Sequence, residues 1–297
     1  MGAFTTIKIF LAGAALAALA ACATAPTSGG GGVSTRPDAE PFAPGSTVRP
    51  FYATSNASPD PVFNILFVAD RGTYGDLSDP ARKAEFEADA QNAIDNAFHG
   101  VQGIYLNRDE FHYYVSDVAG EVTYNEDCVG KDFSGVASDV RIGDDHAVFD
   151  LRLILHKRGW PDCRQGREAS ADAGDFGVIA HEAAHALFNI PDEYGGGGEV
   201  WETNPGIMYP LSQRAACENR KVALGVGGAC EQKTFGGAAD WWRADDGEDL
   251  MSIRQINRKQ ALEFGRADWA TALRVMEDKR GPGSIASPSV FGPAIWP

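Results

Sequence analysis

The chain has 297 residues, of which 44% are hydrophobic and 10% aromatic, so it can bury a substantial core and does not have the composition of a disordered protein. Its formal net charge of -15 argues against nucleic acid or anionic lipid as a partner, because such partners require a basic surface. We expect one domain, or two small lobes.

The first residues predict an export signal. Lys8 precedes the apolar run IFLAGAALAALA, which is too short for a committed membrane span. The run ends in Leu19-Ala20-Ala21-Cys22, which resembles the lipobox of bacterial lipoproteins. This resemblance implies that a signal peptide, residues 1 to 21, is removed and that lipid, palmitate included, is attached to Cys22. The alternative is an ordinary signal peptide with an incidental cysteine.

The residue after Cys22 is Ala23, whereas an aspartate there would imply retention at the inner membrane. The resemblance to lipoproteins therefore implies an exported chain on the outer membrane of the bacterial envelope. The chain would contact the membrane only through its lipid anchor.

Composition divides the remaining chain into further segments. Residues 22 to 50 are rich in Thr, Pro, Ser and Gly and predict a flexible tether. Residues 51 to 194 carry strand and helix patterns and predict an upper α/β subdomain. Residues 195 to 280 predict an irregular, partly helical C-terminal subdomain, and residues 281 to 297 a loose tail.

Four cysteines follow Cys22, and an even number in an exported chain predicts disulfides. Three pairings are possible. We favour Cys128 with Cys163 and Cys217 with Cys230, because the second pair closes a short glycine-rich loop. A structural zinc site made of thiolates is less favoured, since no C-x-x-C spacing is present.

FNILFVAD, residues 63 to 70, predicts a strand that is buried on both faces. A helix should follow, with Ser78 or Asp79 as its cap and Pro80 in its first position. One face of this helix is predicted to hold Phe86, Ala90, Ala93, Ile94 and Ala97.

Two further strands are predicted at FHYYV, residues 111 to 115, and AVFDLRLIL, residues 147 to 155. In the second strand, Phe149, Leu151, Leu153 and Leu155 alternate with Asp150 and Arg152. The order strand, helix, strand, strand, helix predicts an α/β fold in which helices cover a mixed, twisted sheet.

HEAAHALFNIPDEY, residues 181 to 194, predicts a metal site on a helix that Asp175 can cap. His181 and His185 lie four residues apart and therefore share one face of the helix. With Glu182 beside them they form an HExxH motif, which is typical of two zinc ligands and a general base. The residues predicted to pack inward are Ile179, Ala183, Ala186 and Leu187.

A third ligand cannot come from the next turns of a straight helix, because a residue seven beyond His185 would lie about 10 Å farther along the axis. Asn189 tolerates the left-handed conformation that ends helices, and Pro191 disfavours a helical residue before it, so we expect the chain to reverse. Asp192 or Glu193 then arrives near the metal, and the fourth position is left for water.

The same segment resembles the active site of the IgA-peptidase family of zinc metallopeptidases, metallopeptidase family 64, whose pattern is HExxH, six residues, then DEY. NILFVAD, AEFEADAQNAIDNAF and YLNRDEFHYYVSDV resemble that family's opening strand, helix and strand, so the resemblance covers roughly residues 60 to 255. It implies a metzincin-like fold and one zinc ion held by His181, His185 and Asp192, with Glu193 as the alternative ligand.

Metzincin-like peptidases also place a methionine in a turn beneath the metal. The resemblance favours Met251, because DLMS looks like the family's closing motif, and Met208 in NPGIMYP is the alternative. Tyr194 or Tyr209 could donate a hydrogen bond to the oxyanion that forms during hydrolysis.

The predicted function is a monomeric zinc endopeptidase that cleaves proteins or peptides. Zinc would acidify a water molecule, and Glu182 would take its proton and return it to the leaving amine. One alternative is a non-catalytic zinc-containing envelope lipoprotein that binds protein or cell-wall partners, although Glu182 argues against it because structural sites are closed by a fourth ligand. The other alternative is a zinc amidase that acts on cell-wall peptides.

Overall fold

A computed structural model of the protein describes residues 46–52, 63–125, 128–142, 145–193, 206–226, 228–233, 241–245, 249–252 and 263–289. The predicted signal peptide, Cys22, most of the tether and Tyr194 lie outside these residues. Within the described ranges, the structure contains no helix that is both long and apolar enough to cross a membrane.

The described residues form a mixed α/β structure. The strands are β1 Val48–Tyr52, β2 Phe63–Ala69, β3 Phe111–Ser116, β4 Glu121–Thr123, β5 Gly130–Asp132, β6 Asp139–Ile142, β7 Asp145–Val148, β8 Leu151–His156, β9 Cys163–Gln165, β10 Glu168–Asp172, β11 Met208–Pro210, β12 Glu231–Lys233 and β13 Trp241–Arg243. The helices are α1 Arg71–Tyr74, α2 Pro80–Ala93, α3 Gln102–Leu106, α4 Phe176–Phe188, α5 Arg214–Ala223 and α6 Arg266–Arg280. A π-helical turn, Ile94–Phe98, continues α2.

The main sheet has six strands in the order β1-β3-β2-β8-β10-β9. β3, β2, β8 and β10 run parallel to one another, whereas the edge strands β1 and β9 are antiparallel to their neighbours. The predicted mixed sheet with covering helices is therefore confirmed. β11, β13 and β12 form a separate three-stranded sheet.

β2 is buried on both faces, as its continuous apolar run predicts. Phe63, Ile65 and Phe67 face a core that includes residues of α2, α4 and α6. Leu66 and Val68 face a second core, built with residues from the β4 to β7 region. Each such side chain contributes roughly 1.5–3 kcal/mol by leaving water, so β2 anchors the fold.

α2 begins as predicted. The Asp79 side chain accepts a hydrogen bond from the amide of Ala81 at 2.9 Å, and Pro80 occupies the first helical position. Asp79 rather than Ser78 is therefore the cap. All the residues predicted for the inner face are buried: Phe86, Ala90, Ala93, Ile94 and Ala97.

The strand predicted over residues 147 to 155 is broken in the structure, because β7 ends at Val148 and β8 begins at Leu151. The three leucines of β8 face the helices, but Phe149 packs in the opposite core. Asp150 explains the break: its carboxylate accepts from the Asn64 amide and from Lys279 Nζ, each at 2.9 Å. The predicted alternation is wrong at Phe149.

Two segment boundaries also differ from the prediction. β1 begins at Val48, inside the predicted tether, and pairs with β3. Residues 281 to 289, predicted as part of a loose tail, are anchored: the Asn107 side chain donates to the Ala286 carbonyl and accepts from the Ala286 amide, each at 2.7 Å. Trp269 Nε1 donates to Ser287 Oγ at 3.1 Å.

Candidate metal centre

α4 carries the HExxH motif and is fixed against the sheet. Its first turn is capped by Asp175, whose side chain accepts from the Val178 amide at 3.2 Å, as predicted. The helix packs against β10. Ile179, Ala183 and Leu187 are buried in the core as expected, and Ala186 is half-buried.

The structure brings His181, His185 and Asp192 together. The two Nε2 atoms are 3.1 Å apart, and Asp192 Oδ1 lies 2.9 Å from that of His181 and 3.2 Å from that of His185. Ligand atoms of a tetrahedral zinc ion with bonds of about 2.0–2.1 Å are separated by roughly 3.3 Å. The donor types and their spacing therefore fit zinc.

Both imidazole rings are oriented by backbone carbonyls. Nδ1 of His181 donates to the Leu250 carbonyl at 3.0 Å, and Nδ1 of His185 donates to the Ile190 carbonyl at 2.5 Å. A carbonyl can only accept, so Nδ1 carries a hydrogen in each ring, and Nε2, which faces Asp192, is the atom left to bind a metal once it has lost its proton. This is the tautomer that a metal ligand requires.

Asp192 Oδ1 is buried, and the Nε2 atoms of the two histidines are its polar neighbours within the part of the chain that the structure describes. Burial lowers the pKa of His181, but the carboxylates of Asp192 and Glu182 outweigh burial and raise this pKa to about 9. Burial would raise the pKa of Asp192, yet the two imidazoles hold it well below its usual value. The site therefore attracts positive charge, which a metal ion supplies when it displaces a proton.

The chain reversal after α4 occurs at Asn189, as predicted. Its φ of 54° and ψ of 35° lie in the left-handed region, and no other non-glycine residue in the described ranges has a positive φ. The Asn189 amide donates to the His185 carbonyl at 3.1 Å. Because of this reversal, the next three residues run back across the end of the helix. Asp192 therefore lies next to the two histidines.

Glu182 is buried beside the two histidines, and burial raises the pKa of its carboxyl group above the ordinary value. The charges of His185 and His181 act in the opposite direction and lower it. The place of Glu182 beside the two histidines is the one that a general base would need.

Glu193, the alternative third ligand, does not join the histidines in the structure. Its side chain is fully buried, and its Oε2 accepts from Arg243 Nη1 at 2.9 Å. Asp192 is thus the acidic residue that the reversal places at the candidate metal centre.

Met251 is buried in a turn that contacts the metal-site residues on two sides. The Leu250 carbonyl accepts from His181, and the Met251 carbonyl accepts from the Glu193 amide at 3.0 Å. Met208 is also buried, but it lies on β11 opposite Arg243. The assignment of Met251 to the turn beneath the metal stays a prediction.

Arg164 belongs to this centre, although the sequence did not identify it. Its Nη2 donates to the His185 carbonyl at 2.8 Å and to Asn189 Oδ1 at 3.3 Å, so it closes the carboxyl end of α4. Cations are favoured at that end of a helix. No local sequence pattern predicts this contact, because Arg164 lies on β9, 21 residues before His185.

Tyr209, one of the two predicted oxyanion donors, lies half-buried on β11 and pairs with Trp242. Burial raises the pKa of its phenol, so the group would remain a hydrogen-bond donor at neutral pH. Its role stays a prediction, as does that of Tyr194.

The structure joins the cysteine pairs that the sequence favoured. The Cα atoms of Cys128 and Cys163 are 5.6 Å apart and those of Cys217 and Cys230 are 6.2 Å apart, as is usual for disulfides. The first pair ties β9, the strand of Arg164, to the residues before β5.

Comparison with models of known protein families and with curated proteins found no match for this chain. Its function is therefore inferred from the geometry and chemistry of the candidate metal centre.

Proposed function

We propose that the protein is a zinc-dependent endopeptidase of the IgA-peptidase type, metallopeptidase family 64, with a metzincin-like fold. The observation that carries this proposal is the convergence of His181, His185 and Asp192, with both rings held in the ligating tautomer and Glu182 buried beside them. A structural zinc site would not need a buried glutamate next to three ligands.

Zinc held by the three residues would acidify a water molecule and polarise the scissile carbonyl. Glu182 accepts a proton from the attacking water and then donates it to the leaving amine. Burial supports this role because it raises the pKa of the Glu182 carboxyl group above its ordinary value. Arg164 and Asn189 hold the end of α4, so the positions of His185 and Asp192 are set before substrate binds.

A polypeptide substrate is supported by the position of β9. This strand lies at the edge of the main sheet and packs against α4. Edge strands present backbone donors and acceptors to which an extended peptide can add as a further strand. A chain bound along β9 would pass close to the candidate metal centre.

We further propose that the protein is exported and anchored to the outer membrane by lipid on Cys22, with the part of the predicted tether that precedes β1 as its linker, and that it acts as a monomer. The two disulfides support export, because such bonds persist in oxidising compartments.

The test measures zinc content and casein cleavage with the full-length protein purified in detergent. We expect about one zinc ion per chain. The Glu182→Gln variant should keep its zinc but lose cleavage, and Asp192→Ala should lose zinc. Glu121→Gln, which changes an exposed glutamate on β4, is the matched control.

Cleavage unchanged in Glu182→Gln would contradict the peptidase proposal. So would a wild-type protein that holds zinc but cleaves no protein in a denatured proteome. Cuts confined to cell-wall peptides would instead identify an amidase.

A further inference from the structure

A second cluster of acidic residues lies beside the turn that contains Met251. Its four carboxylates each offer an oxygen, and these oxygens all lie within 4.8 Å of one another. The exposed fractions are 0% for Glu193, 1% for Asp245, 5% for Asp249 and 0% for Asp268. The residues come from three separate parts of the chain, since Asp245 and Asp249 are four positions apart, and the fold brings these parts together.

Hydrogen bonds satisfy some of these oxygens. Both oxygens of Asp245 accept from the Ala267 amide at 2.8 Å, at the start of α6. Asp249 Oδ1 accepts from the amides of Met251 and Ser252 at 3.1 and 2.9 Å. Glu193 Oε2 accepts from Arg243, as described above.

Four buried oxygens of the cluster have no hydrogen-bond partner among the described residues: Glu193 Oε1, Asp249 Oδ2, and both Oδ1 and Oδ2 of Asp268. A buried polar atom without a partner costs roughly 1–3 kcal/mol, and more if it is charged. Such a group in a native protein calls for a ligand or ion.

Among the described residues, Arg243 is the cation that contacts this cluster, and it also binds a carboxylate outside the cluster. Its Nη1 lies 2.9 Å from Glu193 Oε2 and 3.9 Å from Asp249 Oδ2, while its Nη2 lies 3.0 Å from Glu231 Oε2 outside the cluster. One guanidinium cannot balance four carboxylates, and uncompensated buried charge is strongly unfavourable. A bound cation would therefore stabilise the cluster by balancing its remaining negative charge.

The backbone approaches the cluster closely at Gly265. A Cβ atom there would lie 2.4 Å from Asp245 Oδ2 and 2.7 Å from Asp249 Oδ2. Any other residue would push these carboxylates away. The glycine thus keeps open the space around the unpartnered oxygens.

We propose that Glu193, Asp245, Asp249 and Asp268 bind a calcium ion. Calcium takes six to eight oxygen ligands at about 2.3–2.6 Å, so oxygens on opposite sides of the ion are about 4.8 Å apart. The four carboxylates fall within that span. Magnesium has bonds of about 2.0–2.1 Å and retains its water, and zinc prefers nitrogen and sulfur, so an all-oxygen cluster favours calcium.

The calcium ion would join the parts of the chain that build the candidate metal centre. Glu193 directly follows Asp192, and Asp249 directly precedes Leu250, whose carbonyl orients His181. Asp268 would connect the segments that contain Glu193 and Asp249 to α6 through the shared ion. The proposal rests on the acidic cluster alone, and it stands whether or not the protein is a peptidase.

The test uses the full-length wild-type protein in detergent, first treated with a calcium-selective chelator and then dialysed against calcium, magnesium or zinc. Bound metal is measured by mass spectrometry and unfolding by heating. We expect about one calcium ion per chain and a Tm that rises by about 5 °C or more with saturating calcium. Folded protein that binds no calcium, or an equal Tm rise with magnesium, would overturn the proposal.

A pair of variants localises the effect. Asp268→Asn preserves the shape of the side chain and should weaken calcium binding by about 100-fold or more and abolish the calcium-dependent rise in Tm. Asp278→Asn changes an exposed carboxylate on the same helix and should leave both unchanged. A full calcium response in Asp268→Asn would place the ion elsewhere and refute this site.

Discussion

Asp192 and Glu193 are adjacent in the chain, yet their carboxylates belong to different clusters. Asp192 Oδ1 lies 2.9 Å from His181 Nε2, whereas Glu193 Oε2 lies 2.9 Å from Arg243 Nη1. Two features fix the backbone here: the left-handed residue Asn189 reverses the chain before Asp192, and the Glu193 amide donates to the Met251 carbonyl at 3.0 Å.

This division predicts opposite effects for two isosteric substitutions. Asp192→Asn should weaken zinc binding by about 100-fold or more, because it removes a charged ligand. Glu193→Gln should leave zinc affinity within about 10-fold of wild type, because its side chain is an indirect support. Competition with a zinc-binding dye measures both constants. Equal losses in the two variants would show that Glu193 is also a zinc ligand.

Arg164 should support the metal centre without touching the metal. Replacing it with methionine removes the bond to the His185 carbonyl, and we expect zinc affinity to fall by about 10-fold. The control is Arg167→Met, since Arg167 is exposed in the turn between β9 and β10. The same dye competition applies. An unchanged affinity in Arg164→Met would show that the helix end is held without this bond.

Asn189 tests the importance of the left-handed turn. Asn189→Val places a branched side chain at a φ of 54° and should lower the free energy of unfolding by about 1–2 kcal/mol. Asn189→Gly tolerates that conformation and should remain within about 0.5 kcal/mol of wild type. Urea unfolding measures both. Similar losses in the two variants would assign the effect to the bond with Arg164 instead.

The buried side chain of His112 should make the stability of the protein depend on pH. Burial, with a smaller contribution from the charge of Arg280, lowers its pKa from 6.5 to about 4. As the pH falls from 6.5 to 4, the unfolded chain takes up a proton that the folded chain does not, so stability decreases in this window. The loss can reach about 3 kcal/mol.

The measurement compares urea unfolding at pH 7 and pH 4.5 for the wild type and for His112→Gln. The difference between the two pH values should be smaller in the variant by about 2 kcal/mol or more. An identical pH dependence for the two proteins would show that His112 accepts its proton as readily in the folded state.

The elements predicted correctly are those with local signals. The apolar run of β2, the Asp79 cap of α2 and the Asp175 cap of α4 depend on residues a few positions apart. Asn189 is of the same kind, because its tolerance of left-handed geometry is a property of one residue. These signals predicted that the chain returns to the two histidines after α4, but they left open whether Asp192 or Glu193 reaches them.

What the sequence did not reveal depends on distant partners. The break before β8 arises because Asp150 binds Asn64 and Lys279, which lie 86 and 129 residues away. No periodicity reports such contacts. The acidic cluster was missed for the same reason, since Glu193 and Asp268 meet only after α6 has packed.

The reciprocal bonds between Asn107 and Ala286 determine where the chain can be shortened for crystallisation or labelling. Asn107 is 7% exposed, so a truncation at Arg280 would remove both of its bonds to Ala286 and leave its buried side-chain oxygen without that donor, while the bond from its Nδ2 to the Gly103 carbonyl remains. A truncation after residue 289 keeps them. A fluorophore or affinity tag should therefore be attached beyond residue 289. There it leaves the two hydrogen bonds between Asn107 and Ala286 intact.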